Sequence, residues 1–558
     1  MKILLIVSAF NSLTQKIFCY LLESGYEVSV EFAINDEIMK EACKLFKPDI
    51  ILCPYLLKKI PKEIYENIKT FIIHPGPFGD RGAFALDNAI LNKEKRWGVE
   101  IIEADEEFDA GDIWAYSEFK MPKNKKGYIY RNQIANEALN LTKELLEKLK
   151  SNFKPLKNPK YPLHEKITQK RREIDWQRDS DEEIKRKIDA SDNFPGVRDN
   201  FFGIEVYLFG AHIERNSLEK IEAKPKEIIA KRDGAILVKT KEGAVWIERM
   251  TPIENGIRGI KLPSTYVLKD KIKGVKERRI PLYVNRELQT FKEITFSKIE
   301  NVGFLDFEFY NGAMDSKRCI RLKYAIETLK EEVDILVLTG GENFFSNGID
   351  LCILEDSKKK GEDGWSNINA MNNLIKEIIF SEDIITISVF RANAGAGGVF
   401  LALSADIVFA KNGVVLNPHY KTLGLSGSEY HTYTFFRRVG EKKALEILNK
   451  ALPISSSFAK KIKMTDYLYE DFKEVENFAL KLAEDEERYY EILDLKRERL
   501  QRDRELINSC LEKELEVMYP EFWDKNSPFH KLRHDFVYKV CPIKTPLRLA
   551  VHRRKNNA

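Results

Sequence analysis

The chain has 558 residues, 43% of them hydrophobic and 32% charged, with a formal net charge of +4. That length exceeds a single hydrophobic core and predicts two to four domains of ordinary globular composition. The small net charge, the lack of a long run both basic and aromatic, and the lack of an apolar stretch of spanning length argue against a nucleic-acid binder and a membrane protein. Basic clusters such as Lys58-Lys59 and His552-Arg553-Arg554-Lys555 read as solvated surface. Seven cysteines with no CxxC pair suit a reducing compartment better than a disulfide framework or a zinc ribbon. The opening apolar run 1–7 reads as a first buried strand rather than a signal peptide, and the expected location is cytoplasmic.

Residues 1–155 alternate strand and helix signals. Strands are expected at 3–7, 27–32, 50–53 and 71–73, the last running directly into His74, with helices to Leu22 and Phe46 between them. This βαβ rhythm predicts a Rossmann-like parallel sheet with ligands at the carboxyl ends of its strands. No GxGxxG follows the first strand, so no dinucleotide is indicated. Between 156 and 280 short alternating strands (206–209, 227–231, 235–239, 244–248), with turns at Asp233-Gly234 and Glu242-Gly243, predict a small OB-like β barrel. Strands at 294–299, 302–307 and 335–338 open an α/β region spanning 287–465. From 466 to 558 the chain is densely helical and charge-rich, with Val475, Phe478, Leu482, Tyr489, Ile492 and Leu493 at helical spacing. That face reads either as an oligomer-forming arm or, more simply, as an amphipathic helix packed on its own domain. The fold class is thus α/β multidomain.

Two stretches carry chemistry. In the first, His74-Pro75-Gly76-Pro77-Phe78-Gly79-Asp80-Arg81-Gly82 is followed by Asp109-Ala110-Gly111-Asp112, with Asp109 35 residues after His74. A strand ending in histidine beside a Pro-Gly loop sets an imidazole at the sheet edge among exposed amides. His74 can stabilise an oxyanion, and Asp109 can accept a proton or hold the imidazole. A strand-end histidine alone is more often structural; the paired motifs favour catalysis.

In the second, Phe344-Phe345-Ser346-Asn347-Gly348-Ile349-Asp350-Leu351 precedes Asn393-Ala394-Gly395-Ala396-Gly397-Gly398. A tight turn and a glycine-led helix start allow two backbone amides to converge on one carbonyl oxygen. A single glycine turn would mean only close packing. Nearby, Asn417-Pro418-His419-Tyr420-Lys421 and Gly427-Ser428-Glu429-Tyr430-His431 gather acid–base groups, with Glu429, Tyr420 and His419 the leading catalytic candidates. His530 and His534 are four apart, but nothing nearby completes a metal site, and no metal is predicted.

The first stretch resembles the formyl-tetrahydrofolate-dependent transferases over about 1–150, and Ile174-Asp175-Trp176 with Phe194-Pro195-Gly196-Val197 continues the likeness into the barrel domain of the methionyl-tRNA enzymes. That resemblance implies folate across Pro54, Tyr55 and Leu56, with backbone contacts at Ala104 and Asp105. The family's usual asparagine two residues before the histidine is Ile72 here. Loss of one such donor costs about 3–4 kcal/mol of transition-state stabilisation, so either Asn11 or a loop-glycine amide replaces it, or formyl transfer is slow.

The second stretch resembles the crotonase, or enoyl-CoA hydratase/isomerase, superfamily, an α/β spiral fold. The likeness implies an oxyanion hole from the amides of Ile349 and Gly397, with coenzyme A lying across Phe344, Phe345 and Asn347. Phe400 stands where hydratases carry their first glutamate, and Pro418-His419 where they carry the second. Ordinary enoyl-CoA hydration is not expected.

The order of parts, with Phe10-Asn11-Ser12-Leu13-Thr14-Gln15, HPGPFGDRG, NPHYK and GSEY, is similar over nearly the whole chain to the HypX hydrogenase maturation proteins. That resemblance implies formyl transfer from formyl-tetrahydrofolate to coenzyme A, then decarbonylation of formyl-CoA to carbon monoxide, with hydrogenase assembly proteins as partners. Two alternatives stand beside it: a transferase or hydrolase that releases no carbon monoxide, and a folate- and coenzyme A-binding carrier.

Overall fold

The computed structural model describes residues 1–216 and 222–556. Its first sheet contains Lys2–Val7 (β1), Glu27–Phe32 (β2), Ile50–Cys53 (β3), Thr70–His74 (β4), Arg96–Glu103 (β5) and Ile113–Lys120 (β6), in the order β2-β1-β3-β4-β5-β6. Strands β1 to β4 are parallel, as the βαβ rhythm predicts, and β5 and β6 extend the sheet antiparallel. Ile3, Leu5 and Val7 face one core with the helices Ser12–Glu23 and Ala135–Lys148; Leu4 and Ile6 face the other with the helix Asp36–Phe46. The continuous apolar run of β1 follows from burial on both faces.

The second sheet comprises Val197–Phe201 (β7), Ile204–Ile213 (β8), Ile228–Arg232 (β9), Ala235–Lys239 (β10), Ala244–Glu254 (β11), Ile257–Arg258 (β12) and Leu262–Pro263 (β13). Its order is β7-β8-β11-β10-β9, with β12 and β13 both on β11. Among the described residues β7 and β9 do not pair, so the expected barrel is an open sheet. Both faces are covered without closure. Ile184 and Ile188 of the helix Asp181–Ala190 pack on Val206, Leu208 and Val245, while Phe291 covers Trp246 and Leu237. The helix Asp181–Ala190 lies within the stretch expected to form only short strands.

The third sheet holds Ile294–Ile299 (β14), Val302–Phe307 (β15), Ile335–Leu338 (β16), Ile385–Phe390 (β17), Ile407–Lys411 (β19) and Tyr467–Tyr469 (β22), in that order. Beside it, Ala394–Gly395 (β18), Val415–Asn417 (β20) and Ile454–Ser455 (β21) form a small sheet. The helix Glu486–Trp523 lies along this body: Tyr489 and Leu493 pack in one of its cores, and Leu500, Ile507, Met518 and Phe522 in the other. The buried Lys496 Nζ donates to Asp406 Oδ2 at 2.7 Å and to the carbonyl of Ile384 at 2.8 Å. The amphipathic stripe thus serves its own chain.

The chain then returns to its first sheet. The Val30 amide donates to the carbonyl of Leu549 at 3.0 Å, and the Phe32 amide to Thr545 Oγ1 at 2.8 Å. Glu31 is fully buried, with His552 Nε2 at 2.9 Å and Arg553 Nε at 2.7 Å from its Oε2. Leu549 enters the first core. Among the described residues no helix is long and apolar enough to cross a membrane.

Candidate functional site

His74 ends β4 opposite Glu100 of β5, which sets its imidazole at the edge where the parallel strands finish. The ring is buried between carboxylates. Its Nε2 lies 2.8 Å from Asp80 Oδ2, and its Nδ1 lies 3.7 Å from Asp109 Oδ1. Burial opposes the charged form, but Asp80 and Asp109 outweigh it and hold the imidazole pKa above its ordinary value. Asp109 adopts a left-handed φ of 51°, and its Oδ2 accepts from the Gly82 amide at 3.0 Å. At 3.7 Å it pairs with His74 by charge without taking the Nδ1 proton in a hydrogen bond.

Three residues here were not singled out from the sequence. Asp80 bridges two histidines, because its Oδ1 lies 2.6 Å from His164 Nε2. His164 comes from the stretch after the helix Ala135–Lys148, 84 residues from Asp80, where no periodicity points to it. Glu100 is fully buried, accepts from the Gly79 amide at 2.9 Å through Oε2, and leaves Oε1 without a partner. Burial pushes its pKa up to about 8.

The replacements expected for the donor missing at Ile72 are largely engaged elsewhere. Asn11 caps the helix Ser12–Glu23, its Oδ1 accepting from the Thr14 amide at 3.0 Å and its Nδ2 donating to Tyr130 Oη at 3.2 Å. The Gly79 and Gly82 amides are taken by Glu100 and Asp109.

In the second site, the turn at 346–350 meets the start of the helix Gly397–Leu403. Gly348 has φ +77°, and a Cβ there would stand 3.2 Å from the Gly397 nitrogen. Among the described residues the amides of Ile349 and Gly397 donate to no protein acceptor. Glu429 is beside them, since a Cβ at Gly397 would fall 2.5 Å from its Oε1. Its Oε2 accepts from Tyr420 Oη at 2.5 Å and from the Ser428 amide at 3.1 Å. Burial raises the pKa of both Glu429 and Tyr420. Phe400 is the platform on which the Tyr420 ring stacks, with centroids 5.3 Å apart and planes 15° apart. His419 bonds Thr422 Oγ1 through Nδ1 at 2.9 Å, and burial lowers its pKa to about 4.

One cavity of about 1380 Å³ is lined by residues of both sites. Asn11, Pro54, Tyr55, Leu56, His74, Ala104, Asp105 and Asp109 line it, and so do Phe344, Asn347, Ile349, Ala396 and His419. Gly397, Tyr420 and Glu429 are not among its lining residues. Phe345 is 1% exposed with its ring between Phe307 and Phe390 in the core, so its side chain supports the turn. The Arg131 guanidinium lies 4.4 Å from the Phe344 ring and donates to Asn343 Oδ1 at 2.8 Å, leaving Nε unpartnered. At the far helices, His530 Nε2 bonds the carbonyl of Asp524 at 2.9 Å and His534 packs on Tyr538.

Residues 166–261 match the formyl transferase C-terminal domain family, and residues 308–492 match the enoyl-CoA hydratase/isomerase family. The hydrogenase maturation factor HoxX of Bradyrhizobium diazoefficiens is 36% identical over 570 residues, covering 99% of this chain and 97% of that protein. The chain belongs to the HypX/HoxX family of hydrogenase maturation factors. The crystal structure of HypX from Aquifex aeolicus in complex with tetrahydrofolic acid superposes with a TM-score of 0.95 at 41% identity, covering 99% of both chains. A methionyl-tRNA formyltransferase of Kosmotoga olearia is 28% identical over 234 residues, 41% of this chain and 74% of that enzyme. This HypX/HoxX chain therefore joins a formyltransferase part to a crotonase-like part, and the residues facing their shared cavity come from both.

Proposed function

We propose that the protein makes carbon monoxide for [NiFe]-hydrogenase maturation in two steps. The first moves the formyl group of formyl-tetrahydrofolate to the thiol of coenzyme A; the second splits formyl-CoA into carbon monoxide and free coenzyme A. The observation that carries the reading is the single cavity bounded by His74 and Asp109 and also by Asn347 and Ile349. A thioester formed beside the first pair can meet the second turn without entering bulk water, which limits its hydrolysis. The Aquifex aeolicus protein forms a complex with tetrahydrofolic acid, which supports folate as a ligand of the first site. The two unengaged amides at Ile349 and Gly397 fit a thioester carbonyl.

In the first step the thiol sulfur attacks the formyl carbon, the bond to the folate nitrogen breaks, and the thiol proton ends on that nitrogen. Asp80 and Asp109 favour the charged form of His74, whose Nδ1–H can donate to the developing oxyanion. In the second step the amides of Ile349 and Gly397 hold the thioester oxygen. Glu429, its carboxylate made more basic by burial and oriented by Tyr420, removes the formyl proton as the C–S bond breaks. The proton returns to the leaving thiolate. Hydrogenase assembly proteins would receive the product, in the cytoplasm.

The test is purified protein with formyl-tetrahydrofolate and coenzyme A, with carbon monoxide read as the spectral shift of a haem probe. Carbon monoxide is expected, with loss of about a hundredfold or more in His74→Ala. Formate or accumulating formyl-CoA, with no carbon monoxide, overturns the second step.

A further inference from the structure

The turn carrying Ile349 is fixed from three directions. The Met314 amide donates to the carbonyl of Gly348 at 2.9 Å and the Asp350 amide to the carbonyl of Met314 at 3.1 Å, bracketing Ile349 in a parallel bridge. Ser346 Oγ accepts from the Gly348 amide at 3.1 Å. The third hold is the Asp350 carboxylate. Its Oδ1 caps the helix Leu351–Asp356, accepting from the amides of Cys352 and Ile353 at 3.1 and 3.2 Å. Its Oδ2 accepts from Arg249 Nη2 at 2.8 Å, across 101 residues of sequence, with both side chains 3% exposed.

Arg249 belongs to the formyltransferase-like sheet, not to the crotonase body. It sits in β11 between Phe209 of β8 and Pro263 of β13, ladders on both sides fixing its backbone. The other cation facing Asp350 is Arg318, whose Nη1 is 3.8 Å away and whose short contacts, 2.7 and 2.8 Å, go to Glu293. A charge-assisted hydrogen bond at 2.8 Å orients a carboxylate; a charge at 3.8 Å only attracts it. A buried carboxylate that loses its hydrogen-bonded partner must rotate or take up a proton. Either change is passed to Ile349, its chain neighbour, through only two soft backbone dihedrals per residue.

We propose that Arg249 is a positioning residue for the second step: the formyltransferase-like half of the chain reaches across to hold the turn that presents the Ile349 amide. The proposal rests on the two-step reading above. It means that the crotonase body does not carry a complete oxyanion hole by itself. The middle sheet, beyond its place beside the folate-side domain, becomes part of the second site.

The test uses full-length Arg249→Met and Arg249→Lys. With formyl-CoA supplied, Arg249→Met is expected to lower kcat for carbon monoxide release about ten- to hundredfold with KM within about twofold, the scale of a misplacement near 1 Å. Consumption of formyl-tetrahydrofolate in a single turnover is expected to stay near wild type. Arg249→Lys, which keeps the charge, is expected to recover part of kcat and to guard against a folding defect in the methionine variant. Amide exchange should speed up at 346–353 and stay unchanged at 74–82. A wild-type kcat in Arg249→Met, a loss confined to KM, or an equal loss in both steps overturns the proposal. If wild-type protein itself releases no carbon monoxide from formyl-CoA, the two-step reading fails instead. Exchange at 346–353 still judges the contact in that case: faster exchange upholds it, unchanged exchange ends it.

Discussion

His74 is a buried imidazole ringed by acids, and the burial of those acids bears on stability. Glu100, paired with it across the strands, is fully buried with its pKa pushed to about 8, against 4.5 for an ordinary glutamate. Between those values the unfolded chain has the ionised form and the folded chain the protonated one. Folding therefore loses stability as pH rises from about 4.5 to about 8, and the loss is constant above that. Glu100→Gln should remove this pH dependence, seen as a urea midpoint that falls less between pH 5 and 8 than wild type. At this scale the sequence was half legible. His74 and Asp109 stand in short, unusual motifs, whereas Asp80 shares the motif of His74 yet takes its role from His164, 84 residues on in a stretch with no repeating pattern.

The turn at 346–350 and the helix Gly397–Leu403 act as one element, since each supplies one unengaged amide and their backbones touch at Gly348. Gly348→Ala would put a Cβ at φ +77°, a conformation costing about 1–2 kcal/mol for an L-residue, and 3.2 Å from the Gly397 nitrogen. Carbon monoxide release from supplied formyl-CoA should fall about tenfold, the rate equivalent of that strain if the turn shifts to relieve it, while formyl-tetrahydrofolate turnover holds; a stopped-flow haem assay reads the difference. Regular elements here were readable because period and composition agree: 294–299, 302–307 and 335–338 were expected as strands and are strands. The helix Asp181–Ala190 was not, because Ile184, Ile188 and Ala190 are its three fully buried apolar residues within a charged stretch. A motif such as Phe344-Phe345 records that both residues are aromatic, not which side of the turn each ring faces. Only the packing against Phe307 and Phe390 decides that.

Across the whole molecule, long-range contacts bind the parts: Arg249 to Asp350, Arg131 to Asn343, and residues 545–553 to the first sheet. None has a sequence signature, because each joins residues that are ordinary in their own segments. The return of 545–553 is the largest of these contacts in sequence distance. Leu549→Ala should cost about 2–5 kcal/mol, the usual range for a buried leucine. It should lower the urea midpoint and speed amide exchange at 28–32 before any change appears in 335–338. The same contact also bears on synthesis. A ribosome adding about 5–20 residues per second needs roughly half a minute to nearly two minutes between making Glu31 and making Arg553. For that interval His552 and Arg553, the partners of Glu31, and Leu549, which enters the first core, have not been made, so the first sheet is sealed late. Closure of the first sheet then depends on translation reaching Arg553, and a ribosome stalled in the crotonase-like part would leave that sheet holding its motifs but not sealed.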